Sequence, residues 1–476
     1  MTSELWRKTA REVVGLLKRR DVTPLELIEV ALARIAATDG AINALPTLCP
    51  DRARAAARRI MDGPTPATGT WLAGLPIAIK DLTDVAGVRS TQGSPLFADH
   101  VPARSDIMVE RLETAGAIVL AKSNTPEFGA GGNTFNEVFG ETRNPWNTAL
   151  TCAGSSGGAA AALAAGQVWL ANGSDLGGSL RTPASFCSVV GLRPSPGRIA
   201  SGPGERPFDT LAVEGPMARN VEDAALMLDA MCGRDDTDPL SLDAPASSFA
   251  AAAAERRLPR RVAFSPDLGV APVEAEVRAL CTAAARRLAD AGVVVENACP
   301  DFRGAPEAFQ VLRAAGFVAG MGALYDDPAK RRLLKPDIVW NIEHGRALSA
   351  DAIGAAERAR GALYHRIVAF FRDYDLLLCP AACLPPFPVE QRWVREVAGV
   401  RFDNYVDWLQ LASMITLTSC PALSVPCGFT GDGRPVGLQM VGRPRGEAGL
   451  LSAAAAFEAI AGLDRQVPLD PRFPGR

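Results

Sequence analysis

At 476 residues, with 48% hydrophobic and 22% charged residues, the chain has an ordinary globular composition and length for one large domain or two smaller ones. A net charge of −3 leaves no basic surplus to neutralise phosphates, which argues against nucleic acid as a partner. No run of about 18 uninterrupted apolar residues reads as a membrane span, and Met1 to Lys8 lacks the basic-then-apolar pattern of a signal peptide, so a cytoplasmic protein is expected.

The first sixty residues read as helices. Thr23-Pro24-Leu25-Glu26 is a capping box with proline at the first helical position, opening an amphipathic run to Ala37. An Arg-rich surface helix follows from Asp51 to Met61. Strand signals begin at Leu75 to Lys80. A helix from Ile107 to Thr114 leads into the strand Ala115 to Leu120, and an Ala-rich helix from Gly158 to Ala165 leads into Val168 to Ala171. Further short apolar runs lie at 262–264, 293–295, 376–378, 423–425 and 436–440. An Ala-rich stretch from Ala246 to Glu255 reads as a helix beside a loop. Residues 301–400 turn helical and Arg-rich, and are expected to pack on the same sheet rather than form a separate domain. Strands alternating with helices predict an α/β fold, a single-domain α/β/α sandwich around a mixed, twisted sheet. The boundaries read as N-terminal helices over 1–65, a chemical core over 70–235 and a variable insertion over 300–410, all in one domain of 1–476.

The ten cysteines are scattered without a CxxC pair, so they read as buried free thiols rather than as a disulfide framework or metal site. Cys379 and Cys383 flank an apolar turn that is a candidate pocket edge. No metal or cofactor is expected.

Two glycine-serine segments concentrate the chemical signal: Ala153-Gly154-Ser155-Ser156-Gly157-Gly158 and Gly173-Ser174-Asp175-Leu176-Gly177-Gly178-Ser179-Leu180-Arg181. Adjacent glycines let successive backbone N–H groups face one point, and a serine closing such a run sets its hydroxyl beside those donors. Gly154 to Gly158 formally satisfies G-x-S-x-G with Ser156 in the nucleophile position. That elbow requires a preceding strand and a histidine partner. Asn144 to Thr148 is loop chemistry instead, and His344 and His365 sit in helical, Arg-rich surroundings. Another base is therefore needed. Lysines are few: Lys8, Lys18, Lys80, Lys122, Lys330 and Lys335. Lys80 ends a buried apolar strand, where desolvation lowers a lysine pKa and makes it a usable base. The competing reading is that Lys80 pairs with Asp81 or another carboxylate. Lys122, also at a strand end, reads as structural.

These segments resemble the amidase signature family. The resemblance is carried by Gly74 to Asp81, Gly154 to Gly158, Gly177 to Cys187 and Val189 to Pro194, with matching spacing of Lys80, Ser155 and Ser179. It extends to Lys122-Ser123-Asn124-Thr125-Pro126-Glu127-Phe128, Asn144-Pro145-Trp146, Pro421 to Pro426 and Gly437 to Gln439. It implies a Ser–cis-Ser–Lys triad: Ser179 as nucleophile forming an acyl-enzyme, Ser155, beside a cis peptide bond, as proton bridge, and Lys80 as base. The N–H groups of Leu176, Gly177, Gly178 and Ser179 would form the oxyanion hole, with Ser174, Asp175 and Arg181 in support. Ala153 and Ser188 stand where the family usually has glycine. The loop Phe128-Gly129-Ala130-Gly131-Gly132-Asn133 would line the acyl side of the substrate, and Phe317, Tyr325, Trp340 and Trp408 are pocket candidates from the variable region. The implied activity is hydrolysis of small-molecule amides, anilides, esters or carbamates with water, by a monomer or homodimer. The whole resembles the broad-range bacterial amidases, those that cleave urethanes among them. Two alternatives are the glutaminase subunit of a tRNA amidotransferase, which the stretch Thr125 to Gly131 does not resemble, and a catalytically silent binding protein of the same fold.

Overall fold

A computed structural model describes residues 2–64, 66, 69–204, 206–463 and 467–474. Met1, Thr65 and Arg476, which bound the expected segments, lie outside the described residues. The principal sheet has eleven strands: β1 (Thr47–Leu48), β2 (Pro76–Lys80), β3 (Ile118–Ser123), β4 (Leu170–Asp175), β5 (Val190–Arg193), β6 (Val213–Ala218), β7 (Arg261–Phe264), β8 (Val294–Asn297), β9 (Leu376–Pro380), β10 (Ala422–Phe429) and β11 (Pro435–Val441). Their spatial order is β1-β3-β2-β4-β6-β5-β10-β11-β9-β7-β8. Pairing is mixed. β2 runs parallel to β3 and β4, and β7 parallel to β8 and β9, while the centre from β4 to β11 is antiparallel. The fold is therefore α/β, with helices flanking a large mixed sheet.

Local sequence accounts for the better-defined ends. Thr23 Oγ1 accepts from the Glu26 N–H (3.2 Å), and the Glu26 carboxylate accepts from the Thr23 N–H (2.7 Å), closing the capping box that starts helix Pro24–Ile42. β2 is buried along its whole length because both faces of the sheet are covered there. β5 and β6, strands that the apolar runs did not announce, carry Gly191, Gly215 and Pro216. At Gly191 and Gly215 a Cβ would lie 2.3 Å from the Leu180 carbonyl and 2.1 Å from the Leu192 carbonyl, so close backbone packing takes the place of a hydrophobic signal.

The variable region begins with three substantial helices, Ala305–Asp326, Pro336–Arg346 and Ala350–Phe370, which pack on one another before β9 returns to the sheet. Ala305–Asp326 is long and apolar enough to cross a membrane by length and composition. In the fold it packs against Pro336–Arg346 and Ala350–Phe370.

Candidate active site

β2 and β4 are parallel neighbours, so Lys80 and Asp175, the last residue of each, emerge at the same edge of the sheet. The turn before helix Gly157–Ala164 comes up beside them. Lys80 is fully buried, and its Nζ lies 2.7 Å from Ser155 Oγ, 2.9 Å from Ser156 Oγ and 2.9 Å from Ser174 Oγ. Asp81 does not partner Lys80. It pairs with Lys122 (3.2 Å), which also donates to the Thr83 carbonyl and Ser90 Oγ. Lys122 is thus fully bound, and the buried amine with only hydroxyls around it is Lys80.

Burial pushes the Lys80 pKa down from the usual lysine range, to about 7, against the opposing pull of Glu214 and Asp175. Glu214 moves the other way: burial raises it, while the Lys80 charge and the Asn172 hydrogen bond lower it. Asn172 bonds the Lys80 backbone and the Glu214 side chain: its Oδ1 accepts from the Lys80 backbone N–H (2.7 Å), and its Nδ2 donates to Glu214 Oε2 (2.9 Å). Cross-strand register places Glu214 directly opposite Ser174. Asn172 and Glu214 were not singled out by sequence reasoning, and Ser156 entered it only as the formal serine of G-x-S-x-G. The available signal was period-two alternation: Asn172 and Ser174 share one face of β4, and Glu214 is the opposite residue on β6.

The peptide bond between Gly154 and Ser155 is cis. Ala153 and Ser188 both have positive φ, 57° and 55°, so the two positions where the family usually has glycine do use the left-handed conformation.

The Asp175 carboxylate organises the following loop. It accepts from the N–H groups of Gly178 (3.0 Å) and Leu180 (3.1 Å), and from Arg181 Nε (3.0 Å) and Nη2 (2.7 Å). Burial alone would raise its pKa. The Arg181 charge and hydrogen bonds, with Arg193, overturn that and hold it well below the usual carboxylate range. Arg181 reaches onward to the Ala412 carbonyl (2.8 Å) and Gln439 Oε1 (2.5 Å), tying the loop to helix Gln410–Leu417 and β11. Gly178, at φ 114°, has no room for a side chain: a Cβ would sit 2.5 Å from that of Ala412.

The resulting cleft, of about 200 Å³, has Ser155, Ser174, Leu176, Gly177 and Ser179 in its floor. Phe128, Gly129, Gly131 and Gly132 form one wall, and helix Ala305–Asp326 forms another through Phe309, Leu312, Phe317 and Met321. The N–H groups of Leu176, Gly177 and Ser179 have no protein acceptor among the described residues. That of Gly178 donates to Asp175 Oδ1 (3.0 Å), and Gly178 is not among the cleft-lining residues. Ala130 and Asn133 are likewise off the cleft; Asn133 Nδ2 donates to the Gln391 and Arg392 carbonyls. Of the four aromatic candidates only Phe317 lines the cleft. Trp408 packs behind Gly132, and Tyr325 and Trp340 lie elsewhere. Cys379 and Cys383 are buried outside the cleft, bonded to Gln439 Nε2 and the Trp408 carbonyl. His100, His344 and His365 are all exposed.

A fold with this sheet, carrying a buried lysine among serines below a Gly-Gly-Ser loop, defines a class of hydrolases, and the comparisons agree on which. A family model described as Amidase matches residues 26–451. The chain is 36% identical over 459 residues to an acylamidase from Rhodococcus erythropolis, covering 95% of each. It is 35% identical over 490 residues to the glutamyl-tRNA(Gln) amidotransferase A-subunit from Moorella thermoacetica, covering 98% of this chain and 99% of that one. Among solved structures, a bacterial aryl acylamidase of the amidase signature family superposes with a TM-score of 0.88 at 29% identity, over 97% of this chain and 99% of the other. A 6-aminohexanoate cyclic dimer hydrolase with bound substrate superposes with a TM-score of 0.87 at 26% identity, over 98% of this chain and all of the other. The chain belongs to the amidase signature family and is an amidase, a hydrolase acting on amide carbon–nitrogen bonds.

Proposed function

We propose that the protein hydrolyses small-molecule amides through an acyl-enzyme on Ser179, with Ser155 relaying the proton and Lys80 as base. The observation that carries this reading is the Lys80 amine, buried, lowered toward neutrality, and within 2.7 Å of Ser155 Oγ. An amine in that state takes a proton at neutral pH and returns it to a leaving amine. Ser155 and Ser179 share the cleft floor, so a proton leaving Ser179 Oγ passes to Lys80 through Ser155. As Ser179 attacks, the carbonyl oxygen becomes an anion, which the free N–H groups of Leu176, Gly177 and Ser179 stabilise. Ser174 holds Nζ, and Asp175 with Arg181 braces the loop. Water then attacks the acyl-enzyme along the reverse proton path.

The apolar wall of Phe128, Phe309, Leu312 and Phe317 suits anilides and alkyl amides, and the same chemistry extends to carbamates (urethanes) and esters. We read the chain as one domain, with 1–65 as N-terminal helices, 70–235 as catalytic core and 300–410 as a pocket-lining insertion. Its setting is a bacterial cytoplasm, and its partners are substrate and water, with neither nucleic acid nor membrane involved, as a monomer or homodimer.

The test is a panel of anilides, aliphatic amides, esters, carbamates and glutamine, with released amine or ammonia measured. Ser179→Ala is expected to abolish turnover with the melting transition retained; residual rates above about 1% of wild type would contradict the assignment. The similarity to the amidotransferase relatives supports a second reading, a glutaminase. Glutamine as the preferred substrate, together with a co-purifying partner, would favour it.

A further inference from the structure

Along the cleft-facing stripe of helix Ala305–Asp326, between Leu312 and Phe317, stands Arg313. Its side chain is 7% exposed. Burying a guanidinium costs several kcal/mol unless a counter-charge compensates, and among the described residues no ion pair of Arg313 is formed. Its two Nη groups donate to neutral oxygens, Asn341 Oδ1 and Tyr405 Oη, and its plane lies over the rings of Phe317 (4.5 Å) and Tyr405 (5.2 Å). Among the described residues no carboxylate oxygen lies within 4.0 Å of it. The neighbouring charges are already matched, Arg206 with Asp209 (2.8 Å) and Lys335 with Asp337 (3.5 Å).

Tyr405 also faces the cleft. Its hydroxyl oxygen accepts from Arg313 and from Asn341 Nδ2 (2.7 Å), which occupies both acceptor positions. The Asp337 carbonyl accepts from Asn341 Nδ2 (2.6 Å), which fixes the amide with Nδ2 rather than Oδ1 toward the phenol, and no bond from the Tyr405 O–H to Oδ1 is formed. The Tyr405 O–H proton therefore has no acceptor among the described residues. Among the described residues, a cation without a paired carboxylate and a hydroxyl proton without an acceptor line the same small cleft.

We propose that Arg313 and Tyr405 form a carboxylate-binding subsite, so that the preferred substrates are amides that also carry a carboxylate group. The planar fork of arginine matches a carboxylate, and one cation with one hydroxyl balances a single negative charge. Asn341 is a positioning residue that holds both donors. The inference rests on the amide-hydrolase reading for its meaning but is tested by binding.

Calorimetric titration of the Ser179→Ala protein compares p-acetamidobenzoate with p-acetamidobenzamide, and succinanilate with N-phenylsuccinamide. The carboxylate member of at least one pair is expected to bind about tenfold tighter or more. Adding Arg313→Gln should erase that preference while changing carboxamide affinity less than about twofold, and Tyr405→Phe should reduce it. If the glutamine variant does not fold, Arg313→Lys, which keeps the charge and loses the fork, should retain only part of the preference. Equal affinity for carboxylate and carboxamide in both pairs would overturn the proposal. So would an equal loss for both members in Arg313→Gln, the result of a purely structural arginine. Because these titrations need no nucleophile, a subsite found by binding stands even if the wild-type protein hydrolyses none of the panel, in which case the hydrolytic reading falls alone.

Discussion

Burial and the Glu214 charge act on the Lys80 amine in opposite directions. Burial strips Lys80 of its proton, and the Glu214 charge tends to restore it. With the neutral amine as the proposed base, kcat/KM should rise with pH through about 7. Glu214→Gln keeps the acceptor for Asn172 and removes the charge, so Lys80 should lose its proton more easily. The acidic limb is then expected to move to lower pH by about half a unit or more, read from a kcat/KM profile. An unmoved limb would mean that Glu214 does not face the base electrostatically. Lys122, matched to Asp81, supplies the control: it too is buried and lowered, yet it touches none of the serines around Lys80.

At the scale of elements, the loop between β4 and helix Arg181–Cys187 is held by one carboxylate and two arginines, all fully buried. Asp175→Asn leaves the Arg181 and Arg193 charges without their anion and weakens acceptance from Gly178 and Leu180. A loss of about 3–5 kcal/mol is expected in denaturant unfolding, along with displacement of the unpaired N–H groups beside Ser179. A variant as stable as wild type would show that the pair is dispensable. The helices of the variable region act differently. They supply the cleft wall, so substitutions at Phe309 or Phe317 should alter KM and substrate preference more than the pH profile.

Across the whole molecule, the segment from Gly74 to Arg219 contains the proposed reacting groups but not the means to hold them. β5 pairs with β10, more than two hundred residues on, and Arg181 ends on Gln439 of β11. A fragment covering residues 1–235 should therefore show no cooperative unfolding transition and no turnover. A folded, active fragment would mean that the C-terminal strands are an accessory layer. What could be read directly from residues was local: the Thr23 capping box, the apolar runs of β2, β3, β7, β9, β10 and β11, and the two glycine-serine segments. These signals are written in adjacent positions. β5 and β6 escaped because Gly191, Gly215 and Pro216 interrupt their apolar residues, the two glycines lying close against backbone carbonyls.

The sequence by itself determined the family and the α/β layering and pointed to the candidate serine and lysine groups, since motif spacing and strand-end placement survive without coordinates. Only the tertiary structure decided that Asp81 pairs with Lys122 and leaves Lys80 to the hydroxyls. It also turned the Gly178 N–H inward, set Glu214 across from Ser174, and brought Arg313 and Tyr405 together on the cleft wall. Each of these joins residues distant in sequence, and a buried charge takes its meaning from whichever partner the fold delivers within a few ångströms.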